Sequence, residues 1–210
     1  MTQARGAARR DEIVLAAAAE FDEVGYAAAS LSSIAGRLDR TKGAMSYHFS
    51  TKDSLAREVV ERQYGQWGEV LERIRGDGYD GVDAMVLLSF VVSARFRDDV
   101  LVRAGIRLQH DAGLHDVKLP TPFVAWNAVL LELLTKAGAS ITMPPGLDLQ
   151  GAAEVLVEAF TGLQQVAHAL TGARDIHARV ERYWLLILPG LGVTDSEQLV
   201  TRCRAESRRY

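Results

Sequence analysis

Cysteine is almost missing from this chain: Cys203 is the only one in 210 residues. A lone cysteine excludes an intramolecular disulfide and a cysteine metal cluster, which suits a reducing compartment. Proline is scarce and unevenly placed. None of the five falls before Pro120, and the rest are Pro122, Pro144, Pro145 and Pro189. No apolar run reaches the roughly 18 residues that span a bilayer, and no hydrophobic segment follows the polar opening MTQARGAARRDE. A cytoplasmic protein with no membrane partner is expected. Positive charge is not in excess either: 24 Lys and Arg stand against 27 Asp and Glu. Binding to nucleic acid would need a local basic face rather than a basic bulk.

What is present is helix-forming sequence throughout, without the alternation of β-branched residues that marks strands. The expected fold class is all-α. A first helix is read at about 9–24, with Ile13, Ala16, Ala17 and Phe21 at helical spacing, Asp11 and Glu12 in its first turn, and Gly25 as its stop. Ser30 or Ser32 is expected to cap a short helix near 32–38, and a second short helix follows at about 42–47. Thr51 and Ser54 open a long helix to about 75. Further helices are read at 82–97, 99–111, 121–138 (Pro122 in its first turn), 149–170, 174–188 and 196–204, with loops at 76–81 and 139–148. This divides the chain into a helix-turn-helix domain at 1–51 and a helical domain at 52–210.

Two short helices joined by a tight turn behind a longer one suit reading of a DNA major groove. Gly43 and Ala44 make the second short helix thin where it would dock deepest. Thr41 and Lys42 place a hydroxyl and a cation at its N-terminus, where backbone N–H groups also favour phosphate. Ser46, Tyr47 and His48 offer hydrogen bonds, Ser32 opens the preceding helix, and Lys52 is placed to reach a second phosphate. Arg5, Arg9, Arg10, Arg37 and Arg40 add charge. Leu31, Ile34, Leu38, Met45 and Phe49 would form the small core that fixes the interhelical angle.

The stretch FDEVGYAAASLSSIAGRLDRTKGAMSYHFSTKDSLA resembles the N-terminal domain of TetR-type regulators, in which a Phe-x-x-x-Gly-Tyr and a Thr-Lys-Gly-x-x-Tyr-x-His-Phe-x-x-Lys signature recur. Phe21, Gly25, Tyr26, Ser32, Ile34, Ala35, Thr41, Lys42, Gly43, His48, Phe49, Lys52 and Leu55 match without gaps. The chain departs from the pattern at Ser46, usually aromatic, and at Asp39–Arg40, usually Gly and an apolar residue. The resemblance implies sequence-specific operator binding as a two-fold homodimer, and the departures bear on which operator is read.

A second, narrower resemblance runs through RGDGYDGVDAMVLLSF, VLVRAGIRLQHDAG, LPTPFVAWNAVLLELL and VERYWLLILPGL. These are similar to the γ-butyrolactone-type autoregulator receptors of actinomycetes, repressors of antibiotic biosynthesis released from DNA by a small lactone, butenolide or furan. The resemblance places Trp126, within Pro-Phe-x-x-Trp, on the wall of the ligand cavity. The residues suit that role, because an alkyl-tailed signal needs an apolar cavity and a few polar groups. Leu87, Phe90, Phe123 and Phe160 supply lining. Gln63, Tyr64, Gln109, Thr161, Gln164 and His168 are polar groups on apolar faces, and 161, 164 and 168 share one face. The resemblance also makes 149–170 and 174–188 the dimer helices, so that Thr161 to His168 face either the cavity or the partner. A regulator of efflux or catabolic genes that senses another apolar compound is the alternative within the family.

Other chemistries find little support. Ser46 and His48 are too close to build a catalytic triad. His110, Asp111, His115 and Asp116 straddle Gly113 without a paired metal-ligand spacing. GDGYDGVD lacks the calcium-loop pattern, and Gly190-Leu-Gly192 follows a helix instead of a strand. His177, near a helix start, is expected to be exposed. No enzyme, cofactor or metal is expected.

Overall fold

The structure, a computed structural model, describes residues 2–38, 45, 47–109, 111–114, 117, 119 and 123–210. Nine α-helices and no strand stand among the described residues: α1 (Thr2–Ala28), α2 (Leu31–Gly36), α3 (Lys52–Gly76), α4 (Gly81–Asp98), α5 (Val100–Gln109), α6 (Val124–Ala137), α7 (Leu149–Thr171), α8 (Ile176–Gly190) and α9 (Ser196–Glu206). The all-α expectation holds. Of the helix expected at 42–47, only Met45 and Tyr47 belong to the described residues, and Pro122 lies outside them. No described helix is long and apolar enough to cross a membrane.

The helix ends show where local chemistry overrides the sequence reading. α1 starts at Thr2 instead of about Arg9. TQARGAARR holds good helix formers and no proline, so nothing halts the helix there. Asp11 and Glu12 therefore sit inside α1, away from its N-terminal dipole. Gly25 does end the first run: its φ of 80° lies in the left-handed region that L side chains rarely adopt. One more turn follows to Ala28. Ser30, not Ser32, caps α2. Its hydroxyl accepts from the Ser33 N–H at 3.0 Å, while the Ser33 hydroxyl accepts from the Ser30 N–H at 3.0 Å. The Thr51–Ser54 pattern opens α3 as read, with the Ser54 N–H donating to Thr51 Oγ1 at 3.1 Å. α8 runs through Pro189, beyond its expected stop at 188, because a proline in the last turn forfeits one bond while the Leu191 N–H still reaches the Ile187 and Leu188 carbonyls.

By compactness the chain divides into Met1–Trp67 with Asp99–Pro120, and Gly68–Asp98 with Thr121–Tyr210. The boundary expected between 51 and 52 is neither edge. α5 belongs with the N-terminal helices, and the reason lies in its charges. Arg103, Arg107 and Asp111 recur every fourth residue. Arg103 donates to Asp22 at 2.9 Å, Arg107 to the Asp22 carbonyl at 2.5 Å, and the Tyr26 N–H donates to Asp111 at 3.3 Å. Spacing of four puts Arg103 and Arg107 on one face of α5, and Asp111 follows just beyond its end. Behind them Ala104 and Leu108 are buried with Phe21, Ile34, Met45, Phe49, Leu55 and Val59 in one core.

The second unit is built around α4, which is buried on nearly every side from Gly81 to Phe96. A helix that is apolar all round must be central. α6, α8 and α9 pack on it, and α7 packs on α6 and α8.

α5 approaches α3 closely at Gly105. A β-carbon there would stand 2.8 Å from Gln63 Cβ and 2.9 Å from its Cγ, the inner end of that side chain. Gly105→Ala is expected to lower stability by about 1–3 kcal/mol through overpacking. Thermal unfolding checks this; an unchanged Tm would mean that the two helices are free to separate there.

Candidate DNA-binding surface and ligand site

The first unit carries the helix-turn-helix. α2 buries Ile34 and Ala35 against α1, and Met45 and Phe49 are buried beside them, with Leu31 and Leu38 packed on the edge. The five residues expected to form this core do so. Ser32 and Arg9 are exposed, Tyr47 is 89% exposed, and His48 is half-buried with its ring edge-on to Tyr47 at 5.2 Å. Arg40, Thr41, Lys42, Gly43 and Ser46 lie outside the described residues.

Several cations counted toward a basic face are committed elsewhere. Lys52 is the clearest. Its ammonium donates to the carbonyls of Tyr26 at 2.8 Å and Ala29 at 2.9 Å, and it lies 4.2 Å from the centre of the Tyr26 ring. The last carbonyls of a helix lack intrahelical donors, and a lysine from the next helix supplies them. The phosphate contact expected of Lys52 would fall to an ammonium already bonded to these two carbonyls. Arg37 is held by Glu20 at 2.5 Å and by Glu23. Arg10 bonds Glu58 and stacks 4.5 Å over Phe49. Burial pushes the Glu58 carboxyl up, but hydrogen bonds from Arg10 and Arg62 outweigh it and hold the group below its ordinary range. Burial, and then the hydrogen bond to Asp53, push Tyr26 up to about 12. Glu20, Glu58, Tyr26 and Lys52 thus brace the helices and leave a smaller basic surface than the count of arginines suggests.

The residues expected at a ligand fall in both units. In the first, Gln63 is buried and its Oε1 has no hydrogen-bond partner; Gln109 Nε2 is likewise buried and unpartnered. Tyr64 packs at the edge of the core. In the second unit Leu87 and Phe90 are wholly buried. Phe123, in the left-handed region at φ 71°, precedes α6, and Trp126 is half-buried one turn later. Phe160 meets the Tyr183 ring at 6.2 Å. Thr161, Gln164 and His168 share a face but not an environment. The Thr161 hydroxyl donates to the Val157 carbonyl, Gln164 is buried with Nε2 unpartnered, and His168 is exposed with its ring against Phe96.

Three polar groups escaped the sequence reading. Ser93 is fully buried with no partner for its Oγ, Asn127 buries an unpartnered Oδ1, and His177 is half-buried with an unpartnered Nε2. His177 is not the exposed residue expected, because its ring lies edge-on to Phe90 at 5.8 Å. One signal was available for Ser93: it sits four residues after Ser89 inside the apolar run VLLSFVVSA. Ser89 does find a partner, accepting from Trp184 Nε1 at 2.7 Å.

Residues 13–59 match the profile of bacterial regulatory proteins of the tetR family, and residues 79–193 match that of the tetracyclin repressor-like C-terminal domain. The A-factor receptor protein of Streptomyces griseus is 32% identical over 90% of this chain, which spans 66% of that receptor's own length. A structure described as the molecular basis for control of antibiotic production by bacterial hormones is 36% identical, with TM-score 0.80 over 87% of this chain and 97% of its own. The CprB protein of Streptomyces coelicolor, solved in complex with its biological operator sequence, is 27% identical with TM-score 0.82, covering 98% of this chain and 99% of its own.

Lys52→Met separates clamp from phosphate contact. The clamp predicts a loss of about 1.5–3 kcal/mol in stability with no change in the salt dependence of DNA binding. A salt slope shallower by about one unit would return Lys52 to the phosphate backbone.

Proposed function

Because the chain belongs to the tetR family of bacterial regulatory proteins, we propose that it is a DNA-binding transcriptional repressor that a small signalling molecule releases from its operator. The signal is of the γ-butyrolactone, butenolide or furan type, and the controlled genes are those of antibiotic or secondary-metabolite synthesis. One observation carries this reading. The likeness to the A-factor receptor protein is not confined to the helix-turn-helix but runs across 90% of the chain.

The proposed DNA contacts are Arg9, Ser32, Arg40, Thr41, Lys42, Gly43, Ser46, Tyr47 and His48. The protein acts as a homodimer, since one recognition helix reads too few base pairs for specificity. Val155, Val166 and Leu170 on α7 and Leu186 on α8 are 47–78% exposed and supply an apolar face for that pairing. Two recognition helices about 34–36 Å apart would then enter successive major grooves. The proposed ligand contacts in the second unit are Leu87, Phe90, Phe123, Trp126, Phe160, Thr161, Gln164 and His168; Gln63, Tyr64 and Gln109 are the candidates within the first unit taken by itself. Release requires the ligand to favour the non-binding state by a differential free energy of about 1–3 kcal/mol or more. The repressor works in the cytoplasm and joins the nucleoid when it holds DNA.

A mobility-shift assay on duplexes flanking the protein's own coding region, with and without an alkyl γ-butyrolactone, tests the reading. Wild type is expected to bind and to be released. Trp126→Ala is expected to bind as tightly and to stay bound, and Lys42→Ala to lose affinity for every duplex with a salt slope shallower by about one unit. Absence of binding to all such duplexes removes the repressor reading. Normal release of Trp126→Ala removes Trp126 from the pocket.

A further inference from the structure

Most of the positive charge described in the first unit is neutralised within it. Arg10 bonds Glu58, Arg37 bonds Glu20 and Glu23, Arg62 bonds Glu58 at 2.8 Å and Asp11 at 2.6 Å, and Arg103 bonds Asp22. Lys52 and Arg107 are held by backbone carbonyls. Among the described residues of this unit, three exposed arginines stay unpaired: Arg5, Arg9 and Arg57. Arg5 and Arg9 stand one turn apart on α1, and Arg9 is already among the proposed DNA contacts. Arg57 stands on a different helix, in the second turn of α3, and formed no part of the basic face read from the sequence. A long cation with nothing to hold it in the free protein is available to an anion from outside.

The surroundings of Arg57 say which anion that is. It lines a groove of about 580 Å³ together with His48, Ser50, Thr51, Glu58 and Glu61. The groove is thereby continuous with the helix-turn-helix, since the His48 ring meets that of Tyr47, which is 89% exposed. Ser50 and Thr51 are exposed and add hydroxyl groups to the lining. The acids there oppose an anion less than their number suggests. Glu58 is neutralised by Arg10 and Arg62, and Asp53, also in the lining, accepts from the Tyr26 hydroxyl. Glu61, one turn beyond Arg57, is the acid left over, and exposed pairs at that spacing are worth little in water. We propose that Arg57 is a phosphate contact of the operator backbone, made in the groove it shares with His48. A guanidinium matches two phosphate oxygens at once, and binding releases a counterion from the duplex. Such a contact fixes the protein on any duplex and reads no base. The proposal rests on the reading of this protein as a DNA-binding repressor. It adds an anchor on α3, outside the recognition segment.

The test titrates the full-length protein against a duplex from the flank of its own coding region and against an unrelated duplex, over a series of salt concentrations. Arg57→Gln is expected to weaken binding to both about fivefold in about 0.15 M salt, with a salt slope shallower by about one unit. Its Tm is expected to match wild type, because Arg57 bonds nothing in the free protein. Arg57→Lys keeps the charge and is expected to keep the slope. Arg62→Gln removes a paired arginine four residues further along α3, and is expected to lower the Tm and leave the slope alone. Glu61→Gln is expected to tighten binding to both duplexes. Inorganic phosphate exchanged for chloride at constant ionic strength is expected to leave wild-type binding unchanged. An unchanged slope in Arg57→Gln, or a loss confined to one duplex, would overturn the contact. So would an equal change of slope in Arg62→Gln, which would make the effect one of net charge at a distance, or weaker binding by Glu61→Gln. Displacement of DNA by inorganic phosphate that Arg57→Gln abolishes would make the groove a site for free phosphate instead. Wild type that binds no duplex removes the repressor reading and Arg57 with it, whereas normal wild-type binding with an unchanged Arg57→Gln slope removes Arg57 alone.

Discussion

The ammonium of Lys52 on the carbonyls of Tyr26 and Ala29 is the interaction on which the first unit depends. α1 turns out of its first run at Gly25, and the carbonyls that follow point where no helical donor can reach them. Left alone, that segment would be the weakest stretch between α1 and α2. It is held from three directions instead. Lys52 comes from α3, Arg107 takes the Asp22 carbonyl from α5, and Asp111 takes the Tyr26 N–H from just beyond α5. Each is a charge-assisted bond to backbone, worth about 1.5–3 kcal/mol. The angle at which α2 leaves α1 is thus set by groups that are not part of either helix.

This explains why family-signature residues were easier to recognise than to interpret. Gly25, Tyr26 and Lys52 were all found by spacing. Gly25 was read correctly because a left-handed φ is a property of the residue itself. A lysine at a helix start near a helix-turn-helix suits phosphate, and nothing local in the sequence reveals two carbonyls 26 and 23 residues earlier. Arg103, Arg107 and Asp111 have the same character. Their four-residue period is written in the sequence, but their partners are more than 80 residues away. Periodicity announces a face, and only the fold says what covers it. The same limit moved α5 out of the domain to which its position in the chain had assigned it.

The second unit presents the opposite problem. Its apolar skeleton was plain: α4 is a nearly continuous hydrophobic run, and α7 and α8 carry stripes at helical spacing. Its polar exceptions were not. Thr161, Gln164 and His168 were grouped because they share a face, yet they divide into a hydroxyl satisfied within its own helix, a buried amide and an exposed ring. Helical spacing gives direction relative to the axis. It does not give depth, which depends on how far a neighbouring helix extends along the same face. His177 shows this most clearly, because a position at the start of α8 suggested solvent until Phe90 closed over it.

Depth is also what makes the unpaired groups informative. An exposed serine, glutamine or histidine trades hydrogen bonds with water at little cost. The same groups buried and unpaired cost about 1–3 kcal/mol each, and that cost is removed only when something with matching donors and acceptors enters. A pocket of pure hydrocarbon would bind many alkyl compounds with little distinction, since a methylene more or less changes affinity only modestly. A pocket that holds back an acceptor on one helix and a donor on another discriminates far more strongly, because the wrong ligand leaves both unpaired. The same asymmetry bears on switching. A ligand shifts a conformational equilibrium only by its difference in affinity for the two states, never by its affinity alone.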